Sequence, residues 1–186
     1  RPWANRLING CLRRYQRDKA TFLESLGDSE CAALPGWLHK LLSKSYPEHL
    51  DQLAEASRQR PPFTLRINTE RISVDDYRAL LTKAGIDTRA AGTCGLTLVQ
   101  PVPVSRLPHF HDGFVSVQDG SAQLAGLLLS PEPGMTVLDA CAAPGGKACH
   151  LAELGAAVTA ADISEDRLVK VDENANRLNL SIPSVL

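Results

Sequence analysis

The segment from Val137 to Asp162 constrains the fold of this 186-residue chain more than any other part of its sequence. An apolar run ends at Asp139, a turn with two glycines follows at 141–147, and apolar residues then recur at helical spacing over 148–154. The small and β-branched residues 157–161 predict a buried strand that ends next to a second acid. The segment therefore predicts a βαβ unit, which binds ligands at the carboxyl ends of its strands.

The residues of the turn decide which ligand such a unit would bind. Only Gly145 and Gly146 stand in it, so the dinucleotide fingerprint G-x-G-x-x-G is absent, and a phosphate-binding P-loop would need other residues at 141 and 148. The paired glycines let backbone N–H groups approach a carboxylate, and Asp139 is placed for an ammonium group. Asp162 follows Asp139 by 23 residues, which is close to the roughly 20-residue spacing of an acid that contacts ribose hydroxyls. An amino acid joined to a ribose predicts S-adenosylmethionine as the cofactor.

Three stretches of the chain resemble one enzyme family. Residues 138–147, LDACAAPGGK, resemble the first methyltransferase motif of the RNA 5-methylcytosine methyltransferases, and residues 117–123, VQDGSAQ, resemble the segment that precedes it. With RPPFTLRIN at 60–68 and the helical region before it, the resemblance extends over essentially the whole chain. It is closest to the bacterial branch that acts on small-subunit ribosomal RNA. Ala148 departs from the family, in which threonine is usual at this position.

The resemblance implies a fold and a set of cofactor contacts. The implied fold is α/β, with an N-terminal helical segment and a small RRM-like α/β domain before the start of a Rossmann-like S-adenosylmethionine-dependent methyltransferase domain. We expect the boundaries at 1–58 for the tail of a NusB-like domain with linker helices, 59–117 for the small RNA-facing domain, and 118–186 for the methyltransferase part. The predicted cofactor contacts are Cys141, Ala142, Ala143, Pro144, Gly145, Gly146, Lys147 and Asp162.

The chemistry that the resemblance implies needs cysteines that we do not expect in this chain. In the family a cysteine thiolate adds to C6 of cytosine, C5 then takes the methyl group from the sulfonium of the cofactor, and a base removes the C5 proton so that the thiolate leaves C6 and the enzyme is released. The resemblance places both essential cysteines beyond Leu186, so the chain alone is expected to be an inactive fragment of a 16S rRNA methyltransferase. Cys141 belongs to the cofactor side and is not expected to act as the nucleophile. Two alternatives stay open: a non-enzymatic RNA-binding or ribosome-assembly fragment with a relic methyltransferase fold, and a methyltransferase with another substrate.

Composition and charge limit the class of protein. With 44% hydrophobic and 22% charged residues the chain predicts a soluble globular protein, and no apolar run approaches the roughly 18 residues of a membrane span. We expect a cytoplasmic monomer. Basic residues exceed acidic ones by four in residues 1–66, and acidic residues exceed basic ones by five in residues 118–186. The leading segment is therefore predicted to bind RNA phosphates.

Cysteines and histidines give no sign of a metal site. Cys11, Cys31, Cys94, Cys141 and Cys149 form no C-x-x-C pair, and reduced thiols are expected. His109 and His111 stand in a loop without further cysteine or histidine ligands nearby, so no metal is predicted.

Helical periodicity predicts two features of the first 60 residues. Residues 4–17 form an amphipathic pattern in which Arg13, Arg14 and Arg17 lie off the apolar face, either as phosphate contacts or as a solvated surface. Trp37 and Leu41, together with the leucines beside them, are predicted to face inward as core residues of a second helix.

Two further patterns concern the second half of the chain. Apolar residues alternate with polar ones over 63–68, which predicts a half-buried strand whose polar face carries the cation of Arg66. The pattern over 164–178 predicts a helix that Ser164 caps. Arg167 in that helix resembles the arginine of the family's second motif, and the alternative is a salt bridge to an acid of the helix's first turn.

Overall fold

The structure, a computed structural model, describes residues 2–27 and 33–186 and divides into two compact units between Pro61 and Pro62. The described helices of the first unit are α1 (Pro2–Glu24), α2 (Gly36–Ser45) and α3 (Leu50–Arg58), with a 3₁₀ turn at Pro47–His49. Helix α1 runs beyond the predicted 4–17 and is interrupted at Asp18, whose φ is −108° and ψ is 21°. Cys31 lies outside the described residues.

The apolar side chains of the first unit are largely exposed. Trp37 is 69% exposed and Leu41 is 53% exposed, so the prediction that they face inward as core residues is wrong. Leu7 and Leu12 on α1 are also more than half exposed, and Ala54 is the one buried residue among those that the structure describes in this unit. Periodicity identifies the apolar face of a helix, but burial requires a second apolar layer against that face.

The second unit begins with an antiparallel sheet. Its elements are β1 (Phe63–Ile67), α4 (Val74–Lys83), β2 (Thr88–Ala91), β3 (Gly95–Leu98) and β4 (Val115–Val117). The strand order is β2-β3-β1-β4, and every neighbouring pair is antiparallel. The arrangement is a βαββ unit with a fourth strand beside β1, as the predicted RRM-like domain requires. A 3₁₀ turn at Val104–Arg106, and not a helix, lies between β3 and β4.

Helix α4 covers one face of this sheet. Leu65 and Ile67 of β1 pack with Tyr77 and Leu81 of α4 in a buried core. The Tyr77 hydroxyl donates a 2.8 Å hydrogen bond to the Pro108 carbonyl, and burial raises the pKa of that phenol. The helix begins where the Ser73 hydroxyl accepts the Asp76 N–H at 3.1 Å, which satisfies one of the unpaired amides at the helix start.

The second sheet is parallel and lies among three helices. It contains β5 (Thr136–Asp139), β6 (Ala157–Ala161) and β7 (Ser184–Val185) in that order. The helices are α5 (Gly120–Leu129), α6 (Gly146–Glu153) and α7 (Glu165–Leu178). The predicted βαβ unit is confirmed as β5-α6-β6, although α6 starts two residues before the predicted position. The α/β fold with a partial Rossmann-like sheet is thus confirmed.

The polar face of β1 is buried as well as its apolar face. Thr64, Arg66 and Asn68 are each less than 5% exposed, so the prediction of a half-buried strand is wrong. Helix α5 packs on β1, and its Gln123 amide donates to the Leu65 carbonyl at 3.3 Å. The sheet is therefore covered on both sides along β1, and Arg66 is not available to solvent.

Candidate functional site

The candidate site lies at the carboxyl ends of β5 and β6. Asp139 ends β5 and pairs in register with Ala160, and Asp162 follows β6 directly. Since the two strands are parallel, both acids stand at the same edge of the sheet, where α/β folds bind ligands. The turn over 140–145 connects this edge to the start of α6.

Asp162 is buried and fully engaged with the protein. One carboxylate oxygen accepts the Ala143 N–H at 3.1 Å, and the other accepts the Ser164 N–H at 3.3 Å and a guanidinium N–H of Arg167 at 3.1 Å. The carboxylate thus fixes the turn after β5 to the turn after β6. Only 2% of its side chain is exposed.

Arg167 pairs with Asp162, so the interpretation of a bridge to an acid in the first helical turn is wrong. Its second N–H donates to the Ala143 carbonyl at 3.0 Å, and 54% of its side chain is exposed. Ser164 also differs from expectation, because its side chain makes no capping bond to α7. Its backbone N–H points instead to Asp162, in front of the helix.

The two glycines of the turn have different roles. Gly145 has φ +97°, which L-residues rarely adopt, and a Cβ there would lie 3.2 Å from the Val171 Cα in α7. A Cβ at Gly146 would meet only the side-chain amide of Gln118, at 3.7 Å. The fold itself therefore requires glycine at 145, whereas at 146 a Cβ would fit in ordinary van der Waals contact with Gln118.

Further contacts hold the rest of the predicted contact segment. The Asn174 amide donates to the Pro144 carbonyl at 2.9 Å, and the Ala142 N–H donates to the Ala161 carbonyl at 2.9 Å. Cys141 and Lys147 are exposed. The Asp139 carboxylate, which is partly exposed, accepts the Cys141 N–H at 3.4 Å. The structure thus brings all eight predicted residues together around one turn.

The sequence interpretation missed Arg66, which contacts the start of α6. Its guanidinium donates to the Gly146 carbonyl at 2.8 Å and to the Gln118 side-chain oxygen at 2.6 Å. It also makes a two-bond contact with the Glu153 carboxylate at 2.8 and 2.9 Å. Arg66 lies within the RPPFTLRIN stretch, which carried the resemblance, but the alternating pattern there indicated only a polar strand face.

The two buried thiols of the second unit are poor candidates for a nucleophile. Burial raises the pKa of Cys149 to about 11, so it stays protonated at neutral pH. Cys94 is buried and donates a weak 3.6 Å hydrogen bond to Gln123. Across residues 2–27 and 33–186 no group of three His, Cys, Asp or Glu side chains could hold a metal ion. His109 instead contacts Asp112 at 2.8 Å.

Two family models match most of the chain. The first, described as the ferredoxin-like domain of RsmF/B-like methyltransferases, matches residues 34–105. The second, described as 16S rRNA methyltransferase RsmB/F, matches residues 126–186 and so includes the turn, α6 and Asp162. Within the described residues, no helix has the length and apolar character that crossing a membrane requires.

Two curated relatives share one name with each other. Ribosomal RNA small subunit methyltransferase B of Pasteurella multocida is 45% identical over 175 residues, which are 92% of this chain and 39% of the relative. The protein of that name from Escherichia coli K12 is 44% identical over 185 residues, which are 97% of this chain and 43% of the relative. The chain spans about two fifths of the length of these relatives.

Solved structures share the fold. A methyltransferase homologue from Pyrococcus horikoshii superposes with a TM-score of 0.74 at 29% identity, over 84% of this chain and 54% of that one. NSun6 from Pyrococcus horikoshii superposes with a TM-score of 0.70 at 17% identity, over 81% of this chain and 65% of that one.

Proposed function

Because this chain belongs to the RsmB/F family of 16S rRNA methyltransferases, we propose that it forms the S-adenosylmethionine-binding part of an enzyme that methylates C5 of a cytosine in small-subunit ribosomal RNA. The observation that carries the proposal is the glycine turn before α6, which stands between Asp139 and Asp162 at one edge of a parallel sheet. In this proposal residues 1–58 and 59–117 face the RNA, and residues 118–186 hold the cofactor.

The start of α6 would bind the carboxylate of the methionine part. The first amides of a helix have no partners within it and carry partial positive charge, and here they begin at Gly146, where no protein atom would clash with a Cβ. Asp139, partly exposed at the end of β5, would take the ammonium group. The remaining residues of the turn would shape the surface beneath the cofactor through their backbone.

The adenosine part would lie over Asp162 and Ile163. Ribose hydroxyls would replace the hydrogen bond that Arg167 now donates to Asp162, and Arg167 is exposed enough to move aside. Ile163 is 96% exposed, directly after the buried acid. An isoleucine that is exposed at a ligand-binding edge supplies an apolar surface suited to a purine ring.

RNA is the proposed macromolecular partner. Arg13, Arg14 and Arg17 lie on exposed positions of α1, within the leading segment that carries the excess of positive charge. Arg17 forms an ion pair with Asp18 at 3.4 Å, but both side chains are solvent-exposed and such a pair is weak. Arg66 is excluded from this role because it is buried.

The methyl transfer itself requires a nucleophile from elsewhere. Cys149 and Cys94 are buried, and Cys141, although exposed, makes no described side-chain hydrogen bond to a base. We therefore propose that the attacking thiolate is not one of the thiols of the second unit and that the 186 residues alone transfer no methyl group. The non-enzymatic alternative is not favoured, since the relatives and both family models are methyltransferases.

Calorimetric titration of the full-length protein with S-adenosylmethionine tests the cofactor site. In Asp162→Asn the shape of the side chain is kept and the charge is lost, so the dissociation constant should rise by about 10- to 150-fold, since hydrogen bonds to charged groups contribute about 1.5–3 kcal/mol. Asp166→Asn, a substitution of an exposed acid in the first turn of α7, is the control and should bind as the wild type does.

A second variant covers the chance that Asp162→Asn loosens the turn. Gly146→Val adds a side chain where the protein itself leaves room, so the variant should fold and exclude the ligand. Thermal unfolding of each variant shows whether the protein remains folded during the titration. Wild-type affinity in both variants would contradict the assignment of this site.

A further inference from the structure

We propose that Arg66 is a positioning residue for the cofactor. It fixes the peptide at the start of α6 from the neighbouring antiparallel sheet, so that cofactor affinity depends on a residue that does not touch the cofactor. The inference rests on the proposed function of the turn and adds to it a residue that neither the motif nor its spacing indicates.

The guanidinium of Arg66 is held in one orientation. Its side chain is 1% exposed, and it donates four hydrogen bonds of 2.6 to 2.9 Å. Two of them form a parallel pair with the Glu153 carboxylate, a geometry that fixes the plane of an arginine as well as its position. The other two diverge from a single nitrogen, to Gln118 and to the Gly146 carbonyl.

Both ends of α6 depend on this one side chain. Gly146 is the first residue of the helix and Glu153 is the last, so Arg66 lies alongside the helix and contacts each end. Side chains on a helix tilt toward its N-terminus, which brings the Glu153 carboxylate back toward Arg66. The helix is thereby fixed relative to β1, and the turn before it moves with it.

The contact with the Gly146 carbonyl holds one amide in the direction that the helical backbone gives it. A peptide group is planar and trans, so its C=O and N–H point in opposite directions. Because the Gly146 carbonyl is directed to Arg66, the N–H of Lys147 is directed away from it. That amide is in the first turn of α6, without a partner in the helix, and is one of the donors that the proposed cofactor site uses.

If Arg66 only stabilised the fold, its replacement would have a different effect on cofactor binding, and replacing Arg71 shows what that effect would be. Arg71, an exposed residue after β1, links the loop before β4 to α7, through a 2.6 Å hydrogen bond to the Asp112 carbonyl and a 3.0 Å hydrogen bond to the Leu178 carbonyl at the end of α7. Neither contact involves the turn or α6. If arginines at this junction act only by stabilising the fold, replacing either should lower stability and leave the cofactor affinity of the folded protein unchanged.

The experiment is cofactor titration of the full-length protein carrying Arg66→Lys or Arg71→Lys, at a temperature where unfolding curves show each variant to be folded. A lysine ammonium cannot reproduce the planar, two-bond contact with Glu153 and also hold the Gly146 carbonyl. The dissociation constant for S-adenosylmethionine should therefore rise at least about fivefold in Arg66→Lys and less than about twofold in Arg71→Lys.

A double variant keeps the test decisive if Arg66→Lys does not fold. Arg66→Met with Glu153→Met removes both buried charges, leaves no unpaired ion, and still loses the contact with the Gly146 carbonyl. It should show the same weakened cofactor binding. Wild-type affinity in the folded Arg66 variants, or equal weakening in Arg71→Lys, would overturn the positioning role. If the wild-type protein does not bind the cofactor, it is the proposed function that fails.

Discussion

Leu81 and Leu41 are leucines on the apolar faces of helices in the two units, and they have opposite surroundings. Leu81 in α4 is 0% exposed and packs under the antiparallel sheet, whereas Leu41 in α2 is 53% exposed. The local sequence pattern is of the same kind in both helices. The difference is that α4 has a sheet beside it, while the described residues of the first unit offer no comparable layer. Amphipathicity therefore indicates where a helix is able to bury itself, and not whether it does.

The two units also differ in whether their charged side chains are buried. The second unit buries Arg66 and Asp162, and each of them makes several hydrogen bonds at the candidate site. The first unit keeps its described arginines on α1 in contact with solvent. Buried charges need fixed partners, so they provide fixed geometry, while exposed charges act on distant partners and are screened by salt.

The largest expected difference between the units concerns stability. Leu81→Ala should lower the free energy of unfolding of the second unit by about 2–5 kcal/mol, because it leaves a cavity in a packed core. Leu41→Ala removes a side chain that is already half in water and should change the first unit by less than about 1 kcal/mol. Amide hydrogen exchange, read separately for the two units, measures both effects. Similar losses in the two variants would show that α2 is covered in solution.

A smaller effect is expected from His150, which is 3% exposed in α6 and whose Nδ1 has no hydrogen-bond partner. Burial, and secondarily the positive charge of Arg66, lowers the pKa of His150 from 6.5 to about 4. Below about pH 6.5 the unfolded chain therefore binds a proton that the folded chain does not. The contribution of His150 to stability is complete above that pH and falls, by up to about 3 kcal/mol, as the pH approaches 4.

Urea unfolding of the second unit at pH 7 and at pH 4.5 measures this effect. His150→Gln has no group that titrates in the window, so its stability should fall less than that of the wild type. His49→Gln, at an exposed position of the first unit, is the control and should leave the pH dependence unchanged. Identical pH profiles for wild type and His150→Gln would contradict the lowered pKa.

The smallest effect concerns RNA and the first unit. Replacing Arg13, Arg14 and Arg17 with Gln should flatten the dependence of RNA affinity on salt, by up to about three phosphate contacts. The control replaces Lys170, an exposed cation of residues 118–186, with Gln and should leave the slope unchanged. Filter binding over a range of salt concentrations gives the slopes. An unchanged slope in the α1 variant would assign those arginines to a solvated surface.

The parts of the fold that sequence reasoning predicted correctly are those that local patterns determine. The strand over 157–161 and the apolar face of α7, with Val171 and Leu178, follow from periodicity alone. Helix α5 was not predicted, because its own apolar residues lie on nearly all of its faces and so show no helical period. Since α5 covers the polar face of β1, the absence of α5 from the prediction also led to the wrong expectation that β1 is half-buried.

The residues of the turn and the two acids could be predicted from the sequence, but the side chains that hold the turn in place could not. The turn and both acids are close in sequence and follow from strand ends. The contacts of Arg66 with Gly146 and Glu153 join residues 80 and 87 positions apart, and no local pattern reports such a distance. The partner of Arg167 was left open between two interpretations for a related reason, because the nearest acids in sequence, Glu165 and Asp166, are not those that its side chain reaches.

The arrangement of cysteines makes the chain suitable for site-selective labelling. In the second unit the thiol of Cys141 is exposed on the candidate cofactor turn, whereas Cys94 and Cys149 are buried and the pKa of Cys149 is raised to about 11. Maleimides react with exposed thiolates, so a fluorophore should attach within this unit at Cys141 and leave the other two thiols intact. Once Cys11 and Cys31 are replaced by serine, emission from that one dye would follow occupancy of the turn in real time, without any assay of methyl transfer.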